Sequence, residues 1–517
     1  MKRLLLAAVL LPTFLTVAPQ ANAQTAGCVA TKPAVPGAQV VSATAEVKPG
    51  GDVPSPFPGF PPVTDVPSYC AVTLVLTHPG ANDRVNLSLW LPVSGWNGRF
   101  QGTGGGGYAM TQGDTALAVA VKDGYAAAGT DGGHVSDFED PSTWALGPDG
   151  HVDQALLLNF ASRSLHDMAV AGKAVTTSHY GKAPRYSYWT GCSTGGRQGL
   201  MEAQRFPDDY DGISANAPAV NWDRFLPDLV WPQVVMQQEH NFPTQCEFQA
   251  FHDAATAACD RNDGVADGVV DLPKSCDYNP YRLVGTKIVC DGKEITISRA
   301  DADVVHKIWQ GAPLWYGLNR TAPFGSLAST VTGPDGTTVG VPFGIGANWL
   351  KYFVQEDPSF DLRTVTYRDF DRLFAKSRAK FNQVIGTDDP DLSAFRASGG
   401  KMITWHGIDD SIIPYQGTVD YRQRVEHRMG GASTVDGFYR VFLTPGVDHC
   451  GFAGTGPIPA DPLPALVDWV EKGRAPETLP ANTMDGTRTR NICRYPLHAQ
   501  YTGHGDPNSA ASYTCHR

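Results

Sequence analysis

The chain has 517 residues, 42% of them hydrophobic and 18% charged, which suits a large globular protein of about two to three domains. Its formal net charge of -11 argues against nucleic acid or an anionic membrane as a partner, because binding either draws on a basic surface. Ten cysteines, an even number, favour disulfides over free thiols or metal clusters in an exported chain.

Met1-Lys2-Arg3 is a charged leader, Leu4 to Val17 is apolar, and Ala21-Asn22-Ala23 is a small-residue cleavage site, so residues 1–23 read as a secretory signal peptide. The apolar run is short and contains Pro12, and no later stretch is apolar for long enough to span a bilayer. The expected protein is exported, extracellular or periplasmic. From Ala71 to Thr130 short β-like runs alternate with turns: Val72–Leu76, Val85–Leu91, Arg99–Gln101 and Tyr125–Thr130. Four glycines, Gly104 to Gly107, follow the third run. Their spacing is not a dinucleotide fingerprint, but such a loop presents the bare N–H groups that an acyl-transfer site needs for an oxyanion.

A helical pattern from Ala155 to Val175 leads to the aromatic run Arg185–Thr190, and Arg197–Arg205 opens another helix. Between these last two lies Gly191-Cys192-Ser193-Thr194-Gly195. A Gly-x-Ser-x-Gly between strand and helix is a nucleophile elbow, with the serine hydroxyl exposed beside a helix N-terminus. The predicted oxyanion hole is the N–H of Thr194 with that of Gly105 or Gly106.

Residues 221–391 differ in texture, being rich in Trp, Phe, Pro and Gly. Their place between two halves of strand–helix alternation predicts a lid domain over the C-terminal edge of one sheet, between catalytic parts at 24–220 and 392–517. Trp231, Trp309, Trp315, Phe343, Trp349, Tyr352 and Phe353 are its candidates for stacking on an aromatic acyl group. Two further strands follow. Lys401–Trp405 runs into His406-Gly407-Ile408-Asp409-Asp410-Ser411, and Tyr439–Leu443 runs into Pro445-Gly446-Val447-Asp448-His449-Cys450. A serine needs a base, and the base an orienting acid, in the chain order Ser, acid, His. His449 stands out among 14 histidines because Cys450 follows it as Cys192 precedes Ser193. A bridge between those cysteines would bind the two loops together; Cys192 as a thiol nucleophile is the rival reading.

These motifs resemble the tannase and feruloyl esterase family, over nearly all of the mature chain. The resemblance implies an α/β-hydrolase fold with a large inserted lid domain, Ser193 as nucleophile, Asp410 as acid and His449 as base. Asp409 and Asp448 compete for the acid's role, and Asp448 is disfavoured because it adjoins His449. Spacing and the resemblance together suggest the pairs Cys28–Cys70, Cys192–Cys450, Cys259–Cys276 and Cys493–Cys515, with Cys246 and Cys290 left over for each other. Asp260 to Asp271 concentrates carboxylates around two glycines without the EF-hand spacing. Here the resemblance implies a structural calcium ion, held by the side chains of Asp260, Asp263 and Asp267 and the carbonyls of Val265 and Val269. No organic cofactor is implied.

The implied activity is that of a secreted serine carboxylesterase on esters of aromatic acids, feruloyl esters foremost, with gallate esters and terephthalate mono-esters as alternatives within the family. The terephthalate branch uses a lid arginine, and here no arginine lies between Arg320 and Arg363. A serine peptidase and a non-catalytic calcium-binding protein are the readings from other classes. Paired cysteines argue against the first and the intact triad against the second.

Overall fold

The computed structural model describes residues 27–55, 61–135, 137–271 and 275–517; the expected signal peptide at 1–23 lies outside them. Nine strands build one sheet: β1 (Gln39–Lys48), β2 (Tyr69–Thr77), β3 (Val85–Pro92), β4 (Arg99–Thr103), β5 (Ala126–Thr130), β6 (Tyr186–Cys192), β7 (Gly212–Asn216), β8 (Lys401–Gly407) and β9 (Tyr439–Thr444). Their spatial order is β1-β2-β3-β5-β4-β6-β7-β8-β9. The first three pairings are antiparallel and every later one is parallel.

Burial explains the strand sequences. Ala126, Ala127 and Ala128 of β5 and Met402 to Trp405 of β8 are buried on both faces, and parallel strands covered on two sides read as continuous apolar runs. The helices in question are α1 (Asp114–Lys122), α2 (Ser164–Tyr180), α3 (Thr194–Arg205), α4 (Gln245–Cys259), α5 (Arg299–Gln310), α6 (Tyr367–Ile385), α7 (Tyr415–Met429) and α8 (Leu463–Lys472). Leu165 and Met168 of α2 and Leu200 of α3 share a core with Phe100, Ala128 and Trp189. On the opposite face Leu117 of α1 and Leu466 of α8 pack with Ala127, Tyr188 and Ile403. Neighbours in one strand, such as Tyr188 and Trp189, thus feed different cores, as the two-residue period of a strand requires. A mostly parallel sheet with helices on both faces is the α/β-hydrolase architecture.

Register decides where chemistry can gather. Thr103 pairs with Thr190, Cys192 with Asn216 and Gly407 with Thr444, so the C-terminal ends of β4, β6, β7, β8 and β9 lie along one edge. The glycine run, Ser193, Asp409-Asp410 and His449 all emerge there.

The residues between β7 and β8 carry α4, α5 and α6. Beside a small cluster of its own around Ala255, Cys259, Val270, Cys276 and Tyr278, this insertion shares its main core with the sheet. Trp222, Trp349 and Phe353 join Tyr108, Trp144 and Phe160 in the same apolar cluster that covers the sheet, and the Tyr108 hydroxyl donates to the Ile345 carbonyl at 2.8 Å. It also reaches the functional edge: Asn319 Nδ2 and Thr321 Oγ1 donate to Asp409 at 2.7 and 2.5 Å, and the Ser326 and Ser411 hydroxyls lie 3.0 Å apart.

Candidate active site

Ser193 sits between β6 and α3 with φ 63° and ψ -123°, a left-handed conformation that costs a non-glycine residue on the order of 1–3 kcal/mol. Close packing makes it obligatory. A Cβ on Gly191 would stand 2.6 Å from the Gly195 carbonyl, so the chain doubles back on itself where only glycine fits. The turn is pinned by Ser193 N–H donating to the Asn216 carbonyl at 3.0 Å, and by Arg197 and Ala219 N–H groups donating to the Ser193 carbonyl. Arg197, fully buried, donates to the carbonyls of Phe160 and Ala161 at 2.9 Å and lies over the Phe160 and Trp222 rings. That anchoring role was not legible from the motif that contains it.

Asp410 meets the imidazole predicted for it: its Oδ2 lies 2.7 Å from His449 Nδ1. The same oxygen is 3.1 Å from His406 Nε2, and Oδ1 accepts from the N–H groups of Ile412 and Ile413 at 2.9 and 2.7 Å. Burial alone would raise this carboxyl, but the charge of His449 and the His406 and His449 hydrogen bonds outweigh it and hold Asp410 well below the usual carboxylate range. For His449, burial disfavours the charged ring, yet the Asp410 charge and hydrogen bond prevail and raise it above 6.5. The sequence assigns His406 no part in the triad. Its Nε2 faces two acceptors, Asp410 Oδ2 and the Ile413 carbonyl at 3.0 Å, so Nε2 carries the hydrogen, and Nδ1 accepts from Thr418 Oγ1 at 2.8 Å.

The two competitors face elsewhere. Asp409 is held by Thr321 and Asn319 of the insertion, and its burial pushes it up to about 6. Asp448 Oδ1 accepts from the Ser411 and His449 N–H groups at 2.8 and 2.6 Å, bracing the loop that carries His449.

Ser193 and His449 line one small pocket together with Gly106, Phe138, Cys450 and Phe452. The glycine N–H groups proposed for an oxyanion are engaged: Gly105 donates to Gln198 Oε1 at 3.0 Å and Gly106 to the Ala109 carbonyl at 3.1 Å. Only Gly106 of the two reaches the pocket wall. Thr194 Oγ1 donates to the Gly107 carbonyl at 2.7 Å, tying the glycine loop to α3. None of Trp231, Trp309, Trp315, Phe343, Trp349, Tyr352 and Phe353 lines this pocket; Trp349 and Phe353 are fully buried in the core. The rings that do line it, Phe138 and Phe452, come from loops of the hydrolase part, and the sequence carried no periodic signal for them. A larger apolar cavity, walled by Ile408, Tyr415, Leu443 and Tyr495, lies apart from Ser193 and His449.

All ten cysteines are paired, as Cys28–Cys70, Cys192–Cys450, Cys246–Cys290, Cys259–Cys276 and Cys493–Cys515. The Cys192–Cys450 bridge spans 258 residues with Cα atoms 6.0 Å apart and joins the Ser193 turn to the His449 loop. Cys192 therefore has no thiol to act as a nucleophile.

In the acidic loop, Asp260 Oδ1 accepts from the N–H groups of Asp267 and Gly268, Asp263 from those of Val265 and Asp271, and Asp267 from that of Val269. Burial, with Asp267 and Asp260 nearby, raises the Asp263 carboxyl; like charges are crowded here. Hard oxygen donors in such crowding suit calcium in kind. Among the described residues, no three His, Cys, Asp or Glu side chains converge as a metal-holding group. Arg490 Nη2 stands 3.4 Å from Asp267 and partly offsets the charge.

The sequence pattern of tannase and feruloyl esterase matches residues 70–516. The chain belongs to the tannase and feruloyl esterase family. It is a carboxylic ester hydrolase. Within the family it is 49% identical to a probable feruloyl esterase of Arthroderma benhamiae, over 93% of this chain and 92% of the relative. Feruloyl esterase B of Aspergillus niger is 32% identical over 86% of each chain. Two solved family structures share the fold. Tannin acyl hydrolase of Aspergillus niger superposes with a TM-score of 0.84 at 29% identity, covering 93% of this chain and 92% of that one. Feruloyl esterase B of Aspergillus oryzae gives 0.77 at 28%, covering 94% and 98%.

Replacing Cys192 and Cys450 with alanine together should lower the melting temperature markedly, since closing a loop of 258 residues is worth on the order of 5 kcal/mol in the chain-entropy account. Non-reducing peptide mapping of the unaltered protein should recover the two cysteines in one linked fragment; an alkylatable Cys192 thiol would refute the bridge.

Proposed function

We propose that this ester hydrolase is exported and cleaves esters of aromatic acids, feruloyl esters first, through an acyl-enzyme on Ser193. The observation that carries the mechanism is the buried Asp410–His449 pair opening on the same pocket as Ser193. Ser193 Oγ attacks the ester carbonyl as His449 Nε2 takes its proton, and Asp410 stabilises the resulting imidazolium through Nδ1–H. The Thr194 N–H at the start of α3 holds the oxyanion with the Gly106 N–H, which gives up its bond to Ala109 as charge develops. His449 returns the proton to the leaving alcohol. Water, activated by the same imidazole, then releases the acid.

The feruloyl preference is supported by the Arthroderma relative, and the closeness of fold to tannin acyl hydrolase makes gallate esters the second reading. Export is supported by five disulfides, which persist in oxidising compartments; among the described residues no helix is long and apolar enough to cross a membrane. The proposed calcium ion, held by Asp260, Asp263, Asp267 and the Val265 and Val269 carbonyls, would neutralise the crowded carboxylates and brace the insertion, with no part in the chemistry.

Hydrolysis of methyl ferulate and methyl gallate decides the substrate class; cleavage of simple alkyl esters with both aromatic esters left intact would overturn it. Ser193→Ala and His449→Ala should each lower kcat by on the order of a millionfold, and Asp410→Asn by about ten-thousandfold, with Asp409→Asn far milder. A clean Ser193→Ala protein that keeps a tenth of the activity would sink the serine mechanism.

Because His449 must be neutral to accept the proton and its pKa is raised, kcat/KM should fall as pH drops through a value above 6.5. A pH profile flat down to 5.5 would contradict His449 as the base.

A calcium chelator should lower the melting temperature, and added calcium should restore it by mass action. No metal in elemental analysis and a melting temperature indifferent to both would refute the ion.

A further inference from the structure

Asp410 Oδ2 faces two imidazoles at once, with His449 Nδ1 at 2.7 Å and His406 Nε2 at 3.1 Å. The triad mechanism uses the first contact and gives the second no task. His406 belongs to β8, is fully buried and does not line the pocket of Ser193. Whatever it does for the reaction therefore passes through Asp410.

The partners of His406 admit one arrangement of its hydrogens in the neutral ring. On one side Nε2 meets the Asp410 carboxylate and the Ile413 carbonyl, which can only accept, while on the other Nδ1 meets the Thr418 hydroxyl, which can donate. Thr418 is buried too, so its hydroxyl has no solvent to turn to. The ring is held as a donor toward Asp410.

The two oxygens of Asp410 are held in different ways. Oδ1 accepts from the backbone N–H groups of Ile412 and Ile413, but among the described residues Oδ2 has only the two rings. One of them, His449, gains and loses a proton in every turnover. His406 is the partner that stays the same.

We propose that His406 is a positioning residue of the triad: its Nε2–H keeps Asp410 Oδ2 in line with His449 Nδ1 while that ring charges and discharges, and Thr418 keeps His406 in the donating tautomer. The charged groups that face His449 are Asp410 and Asp448. A second donor on Asp410 spreads its negative charge, so loss of that donor leaves the His449 imidazole more basic. This inference rests on the serine mechanism proposed above and adds a side chain that touches neither substrate nor Ser193.

The test compares two amides that mimic opposite ends of the ring, on the ester that the unaltered enzyme cleaves fastest. In His406→Asn the amide reaches only as far as Nδ1, so it can meet Thr418 but not Asp410; in His406→Gln it reaches as far as Nε2 and can donate to Asp410. His406→Asn should lower kcat roughly 10- to 100-fold, the worth of a hydrogen bond to a buried charge, with KM little changed. The acid limb of its kcat/KM profile should move to higher pH by about half a unit to one unit. His406→Gln should restore kcat about tenfold over the asparagine variant and return the limb toward its original position. Folded variants with equal kcat and equal pH limbs, or the reverse order, overturn the positioning role. A folded His406→Gln protein as crippled as Asp410→Asn overturns it as well, whether or not the asparagine variant folds. Full activity in Asp410→Asn refutes the triad reading, and the role of His406 falls with it.

Discussion

The Asp410 carboxylate is the constraint on which the site depends. Its side chain is fully buried, and a charge in that position survives only if donors replace the lost solvent. Four do so: His449, His406 and the N–H groups of Ile412 and Ile413. Those donors fix the loop after β8 in one conformation, and that conformation fixes the tilt of the His449 ring. The two backbone donors are adjacent residues of the loop after β8. His406 extends the arrangement by one shell, since its Thr418 contact ties the carboxylate to the first turn of α7.

Much of this architecture could be anticipated from the chain itself, for specific reasons. The elbow was readable because its glycines are demanded by a close approach, so the pattern is tight in sequence. Strands β6, β8 and β9 were readable because aromatic and β-branched residues dominate them, and most of those residues are buried. Choosing Asp410 over Asp409 was different. The two are adjacent and chemically alike, and the choice is made by Asn319 and Thr321, residues some ninety positions away that take hold of Asp409. No local pattern encodes a partner at that distance. The rings beside Ser193 and His449 were illegible for a related reason. Trp-rich texture marked the insertion as apolar, but most of that apolarity is spent on packing, and the rings at the pocket are isolated phenylalanines in irregular loops.

Asp409 and Asp448 also have work in the structure. One links the insertion to the loop after β8, the other links that loop to the loop after β9. Together the Cys192–Cys450 bridge and the Asp448 brace join in series the three segments that carry Ser193, His449 and Asp410. A covalent bond, a buried carboxylate and a backbone brace thus share the task of holding three sequence-distant segments in register, which is the geometric requirement of acyl transfer.

The insertion's shared core carries a consequence for how such chains diversify. A segment that folds around its own interior can be exchanged between homologues as a cassette. Trp222, Trp349 and Phe353, by contrast, complete the interior that Tyr108, Trp144 and Phe160 begin, and neither half is closed without the other. Grafting the region between β7 and β8 from a relative would leave mismatched surfaces against the sheet unless its aromatic counterparts travelled with it. Recombination should therefore be tolerated least at this boundary, and new specificities are more accessible by point changes in the loops along the edge.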